Sequence, residues 1–308
     1  MTSPLPFPYG VNQFTTMPWT FEQDVENYTQ LGVSALELCE VKLDPHRRVE
    51  QLDMVAQAGL PVVSVQPAVH AMVPSASQPQ PSSRKERMES FRRSIELIAP
   101  YAPGAAFVTN TGPAPAGNMA EAIRQTITDH RELAAIASDH GVRIALEPLN
   151  PVSLNLETAI WTYGQALDIV QAVDRDEVGI CLDLWNVWQD SQLIAGIDAA
   201  PDRIFLLQVS DWRTPRSGGD RRSVGTGEIP IGRLLHAVHN AGYWGPCVVE
   251  IFSQNVPDSL YDSDLHTLIR ENRAALEQAW QEHRPAMPED NGGLPRNGAI
   301  GRSQPTSR

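Results

Sequence analysis

Cysteine is scarce in this chain of 308 residues: there are three, Cys39, Cys181 and Cys247, and they lie far apart. An odd and scattered set excludes a disulfide framework and predicts small buried thiols in a reducing compartment. Long apolar runs are missing too. Nothing approaches the ~18 residues a membrane helix needs, and the opening MTSPLPFPYG has neither the basic nor the apolar segment of a secretory signal. A cytoplasmic location with no membrane partner is the expectation. Basic charge is short, with 24 Lys and Arg against 37 Asp and Glu and a net charge of −13. Nucleic-acid binding draws on clustered Lys and Arg. The one basic cluster, SSRKERMESFRRS at 82–94, is interleaved with Glu on a helix-like stretch and reads as a solvated helix face. No nucleic-acid partner is therefore expected. Nor does a G-x-G-x-x-G turn follow the first strand-like run; GTGEIPIG at 225–232 comes late and reads as a turn before a helix.

What the chain does have is a regular alternation. Strand-like runs rich in Val, Ile and Leu occur at 9–15, 35–41, 61–67, 105–111, 143–149, 178–184, 203–210 and 246–252. Such nearly continuous apolar runs suit parallel strands buried on both faces. Amphipathic stretches separate them. Thr20 with Gln23 makes a capping box for the first helix, and Gly59, Gly141 and Gly242 stand where helices end. Eight strands alternating with helices predict an α/β fold, a (β/α)8 TIM barrel, as a single domain over 1–283. The Pro- and Gly-rich segment 284–308 has no apolar periodicity and reads as a disordered or surface-draped tail.

In such a barrel the site lies at the C-terminal ends of the strands. Strands 5 to 8 end near Glu147, Asp183, Gln208 and Glu250. Three carboxylates gathered there would repel one another and resist burial unless a cation sits between them. With the Gln208 carbonyl they form an all-oxygen set suited to one divalent ion, Mg2+ or Mn2+. His70, after strand 3, is a candidate for a separate catalytic base. Lys42, beyond strand 2, is a candidate to orient a substrate oxygen. Trp19 and Trp185 lie near strand ends, where their rings either stack on a sugar face or pack at an interface.

The motifs ALEPLNP (145–151), GICLDLWNVW (179–188), QVSDWRTP with DRRSVGTGEIP (208–230) and GYWGPCVVEIFS (242–253) resemble the xylose isomerase-like barrels of sugar phosphate isomerases and epimerases. The resemblance spans most of residues 8–280. It implies that Glu147, Asp183, Gln208 and Glu250 bind one divalent metal, and that Glu147 and Glu250 also act as two catalytic bases, one on each face of the substrate. Many members have His where Gln208 stands; others, resembling 3-dehydroshikimate dehydratases, have Gln. Many also have His at the position of Asn186, where it binds or protonates substrate. An amide there binds substrate but relays no proton. Arg222 resembles the family's substrate-binding Arg, with Arg221 as the alternative in register. The family's abasic-site endonucleases use many His ligands and a basic face, which this chain lacks.

The activity so implied is a divalent-metal-dependent isomerase or epimerase acting on a keto sugar or related polyol, a small sugar-like substrate. It would work through proton abstraction beside a carbonyl and a metal-stabilised enediolate. Two alternatives stay open. One is a lyase or dehydratase at the same site with His70 as base; the other is a non-catalytic barrel that binds a sugar or a partner subunit. A homo-oligomer is compatible with each.

Overall fold

Each apolar run becomes a short strand, and the chain between runs folds back over it as helix. The computed structural model describes residues 5–214 and 219–283. The strands are β1 (Tyr9–Asn12), β2 (Ala35–Cys39), β3 (Val62–Gln66), β4 (Ala106–Thr109), β5 (Arg143–Leu146), β6 (Val178–Asp183), β7 (Ile204–Val209) and β8 (Cys247–Val249). They pair in sequence order, all parallel, and β8 closes on β1, which makes the expected (β/α)8 barrel. The ladders are shorter than the apolar runs because tilted strands in a barrel pair over only part of their length. At the mouth the backbone bonding continues past the ladders, where the Glu147 N–H donates to the Thr109 carbonyl and the Glu250 N–H to that of Val209. The predicted tail at 284–308 lies outside the described residues.

The outer layer contains α1 (Phe21–Gln30), α2 (Arg48–Gln57), α3 (Arg84–Ile98), α4 (Met119–His140), α5 (Tyr163–Val173), α6 (Leu184–Val187), α7 (Leu193–Ala199), α8 (Ile231–Asn240) and α9 (Leu265–Glu282). The capping box at α1 forms: Thr20 Oγ1 accepts from the Gln23 N–H, and Gln23 Oε1 accepts from the Thr20 N–H. Gly141 ends α4 at φ +65°, a left-handed conformation that glycine adopts without steric cost. Gly179 in β6 is required by close approach instead, since a Cβ there would stand 2.6 Å from the Arg203 carbonyl oxygen. No helix among the described residues is long and apolar enough to cross a membrane.

Strand alternation sorts the side chains. Val11, Leu36, Leu38, Phe107, Leu146, Leu182, Leu207 and Val249 join the main core with the helices. In the opposite phase Ala106, Val108, Ala145, Cys181, Leu206 and Val248 form a small cluster of their own around the barrel axis. Two residues further along in that inward phase come Asn110, Glu147, Asp183, Gln208 and Glu250. The three cysteines are buried and free, as their spacing predicts. The basic cluster on α3 is only partly a solvated face. Lys85 and Arg93 are exposed, but Arg87 is wholly buried, because it shares a helix face with Met88, Phe91 and Ile95.

Candidate metal centre and active site

The inward phase brings Glu147, Asp183 and Glu250 together at the mouth. One carboxylate oxygen of each lies within 4.8 Å of the others, and all three residues are buried. A fourth carboxylate, Glu37 of β2, is completely buried beside them. Burial raises the proton affinity of all four, because a charge deprived of water is destabilised. Glu147 is pushed up to about 8, by burial first and then by the Asp183 charge. Glu37 is pushed up to about 7, chiefly by burial. Asp183 and Glu250 also rise through burial, while Arg221 pulls both back.

Arg221 is the one guanidinium in contact with the triad among the described residues. It donates to Asp183 Oδ2 and to Glu250 Oε2, both at 2.8 Å. Its charge lies over the rings of Trp185 and Phe252, at 4.8 Å and 5.0 Å from their centroids, a favourable placement for a desolvated cation. Amides supply the remaining donors. Asn186 Nδ2 gives 2.8 Å bonds to Glu147 Oε1 and Asp183 Oδ2. Asn12 Nδ2 donates to Glu250 Oε1 at 2.8 Å, and Asn110 Nδ2 to Glu147 Oε2 at 3.3 Å. One guanidinium cannot offset four buried carboxylates once they ionise, so without a further cation they retain protons. The residues therefore fit a divalent cation, which Glu147, Asp183 and Glu250 could hold.

Gln208 belongs to the same buried layer, and its amide faces in a defined direction. Nε2 donates to both oxygens of Glu37, at 3.0 and 2.9 Å, and Oε1 accepts from the Cys181 thiol at 3.0 Å. A carbonyl oxygen has two lone pairs, so one remains beside that thiol. Glu37 is the member that sequence reasoning missed. Its signal was a charge in the middle of the apolar run ALELC, in the phase opposite to Leu36 and Leu38.

The other expected residues divide. His70, Trp185 and Asn186 line one cavity of about 420 Å3 together with Gln66, Asn110, Glu147, Arg221 and Glu250, while Phe14, Val41, Leu149 and Phe252 give it apolar walls. Arg222 does not face this cavity. Asp211 and Arg222 form an antiparallel bridge, and neighbours on an extended segment point to opposite sides. Arg221 therefore turns inward, and Arg222 turns out onto Asp220 and Asp258. Lys42 is also elsewhere: it closes the turn Glu40–Lys42 and pairs with buried Asp24 at 2.5 Å, a carboxylate that burial would otherwise leave uncompensated. Trp19 packs against Tyr28 and His266, with ring centroids 6.3 and 4.9 Å away, and is not a wall of the cavity.

A closed (β/α)8 barrel with a buried Glu–Asp–Glu set on its strand ends defines a class of barrels able to hold a cation at the mouth. The family model for the xylose isomerase-like TIM barrel matches residues 25–279, and the chain belongs to that family. Among curated relatives, an inosose isomerase of Halalkalibacterium halodurans is 32% identical over 126 residues, 39% of this chain and 43% of that protein. An L-ribulose 3-epimerase of Methylomonas sp. (strain DH-1) is 26% identical over 149 residues, 48% of this chain and 47% of that protein. Each alignment thus spans less than half of the relative's length. Among solved structures, the IOLI protein with a bound zinc atom superposes with a TM-score of 0.75 at 20% identity, covering 91% of this chain and all of that one. At that identity the likeness is one of fold.

Proposed function

We propose that this chain is a divalent-metal-dependent isomerase or epimerase of a keto sugar or related polyol, working by proton removal beside a carbonyl. The observation that carries this reading is the convergence of Glu147, Asp183 and Glu250, two of which also line the cavity. The relatives named as an inosose isomerase and an L-ribulose 3-epimerase support it. Glu147, Asp183 and Glu250 would hold the cation, with the Gln208 carbonyl as a neutral fourth donor. That all-oxygen set suits Mg2+ or Mn2+.

A bound divalent cation supplies the charge that polarises a substrate carbonyl and stabilises an enediolate. The rest is the work of side chains. β5 and β8 stand three strands apart around the ring, so Glu147 and Glu250 approach a substrate from different sides. One takes the proton from carbon. The other returns a proton to the opposite face for epimerisation, or the neighbouring carbon receives it for isomerisation. Asp183 does not line the cavity and serves the cation alone. Asn186 and Asn12 hold the two glutamates in place, and Arg221 offers N–H groups beside Glu250.

The test is deuterium wash-in at the carbon beside the carbonyl, followed by NMR in deuterated buffer with Mn2+-loaded protein and a panel of ketoses and inososes. Glu250→Gln is expected to slow exchange by at least about 100-fold. Exchange retained in that variant would sink the mechanism, and loss of water from the substrate would move the assignment to an elimination.

A further inference from the structure

We propose that His70 presents its Nε2–H to the cavity as a fixed hydrogen-bond donor for a substrate oxygen, its Nδ1 lone pair being committed to Gln78. The inference rests on the reading of this cavity as the substrate site, and it gives His70 a different task from that of a base.

One carboxamide, that of Gln78, fixes the state of the ring. Gln78 Oε1 accepts from the His70 backbone N–H at 3.2 Å and from Arg87 Nη2 at 3.3 Å. Gln78 Nε2 donates to the Ala68 carbonyl at 2.7 Å and lies 3.0 Å from His70 Nδ1. An amide has two acceptor sites and two protons, and here all four are used. Turned over, it would set its NH2 against a guanidinium and an N–H, and its oxygen against a carbonyl. The group facing Nδ1 is therefore a donor, and Nδ1 must be the bare nitrogen. A proton there would abut the second Gln78 N–H. In the neutral ring the proton then sits on Nε2. The Pro67 carbonyl also lies near the ring and favours a protonated nitrogen there; the group in contact with Nδ1 is Gln78 Nε2. Burial keeps the ring neutral, lowering its proton affinity to about 4.

The frame around this pair is stiff. Arg87, wholly buried, donates to the carbonyls of Ala71, Gln78 and Pro81, which fixes the segment carrying both residues. His70 lines the same cavity as Glu147 and Glu250, so its N–H meets substrate from the β3 side. Nothing on that ring is left to take a proton from carbon, which removes the separate base that the lyase reading needs.

Long-range 1H–15N correlation of the imidazole nitrogens in labelled protein between pH 6 and 8 tests the tautomer without any turnover. The expected pattern is an unprotonated Nδ1 and a protonated Nε2; the reverse pattern, or an imidazolium, overturns the proposal. Gln78→Glu replaces the donor by an acceptor and is expected to move the proton to Nδ1, and an unchanged pattern in it counts equally against the proposal. For the substrate contact, His70→Phe is expected to raise KM about 3- to 10-fold, as the loss of one neutral hydrogen bond does, with kcat within about threefold. A kcat loss of about 100-fold or more at constant KM is the signature of a lost base and overturns the proposal; so does an unchanged KM. If wild type turns over no carbonyl sugar, the functional reading falls, while the nitrogen spectrum still decides the tautomer.

Discussion

With Glu37 ionised, Gln208 has one amide orientation that its neighbours tolerate. Turned over, its oxygen would face the Glu37 carboxylate at 2.9 Å, acceptor against acceptor. Glu37 thus decides which way the carbonyl of the proposed neutral ligand points, the task a carboxylate performs behind a metal-bound His in other sites. Glu37→Gln is expected to weaken Mn2+ binding about 10- to 100-fold. In a Gln208→Leu background the same change should cost less than about threefold, since no amide is left to orient. Isothermal titration of the four proteins checks this, and equal losses in both backgrounds would show that Glu37 acts by another route. At this scale the sequence was legible where chemistry coincides with a strand end, as at Glu147, Asp183 and Glu250. It was not legible where direction decides. Arg221 and Arg222 are chemically alike and adjacent, and only the bridge at Asp211 tells them apart. Lys42 and Trp19 stand close to the mouth in sequence but face Asp24 and His266.

Among the elements, α3 ties the outer layer to the cavity. Its helical period puts Arg87 on the buried face with Phe91 and Ile95, a pattern present in the sequence but masked by the surrounding charges. The guanidinium meets no carboxylate there, only carbonyls of the segment between β3 and α3. Arg87→Met would take that donor from three backbone carbonyls and from Gln78 Oε1, at roughly 1–3 kcal/mol for each one left unpaired. Urea unfolding of the metal-free protein is expected to show a loss of about 3 kcal/mol or more. A loss under about 1 kcal/mol would mean that water replaces the guanidinium and that the segment is not clamped. All eight strands were legible because apolar runs of that length have few alternatives. Their true ends were not, since where a ladder stops depends on the register of each strand with its neighbours in the ring and not on any one run.

For the whole molecule, the carboxylate layer sets how stability responds to pH. A glutamate in an unfolded chain titrates near 4.3, whereas Glu37 keeps its proton to about 7 and Glu147 to about 8. Between these values the unfolded chain releases protons that the folded one holds. The contribution of these groups is therefore complete below about pH 4.3 and is lost as pH rises through 7 and 8. A divalent cation reverses the trend, because it competes with those protons for the same oxygens. The rise in Tm on adding Mn2+ to metal-free protein is accordingly expected to be larger at pH 8 than at pH 5.5. Scanning fluorimetry at both values checks it, and equal rises would separate the metal from this layer. The guanidinium of Arg221 lies over the Trp185 ring while holding Asp183 and Glu250. An indole so placed is sensitive to the field of every charge around it, so events at these carboxylates are written into the emission of Trp185, and the protein carries its own optical gauge of the site.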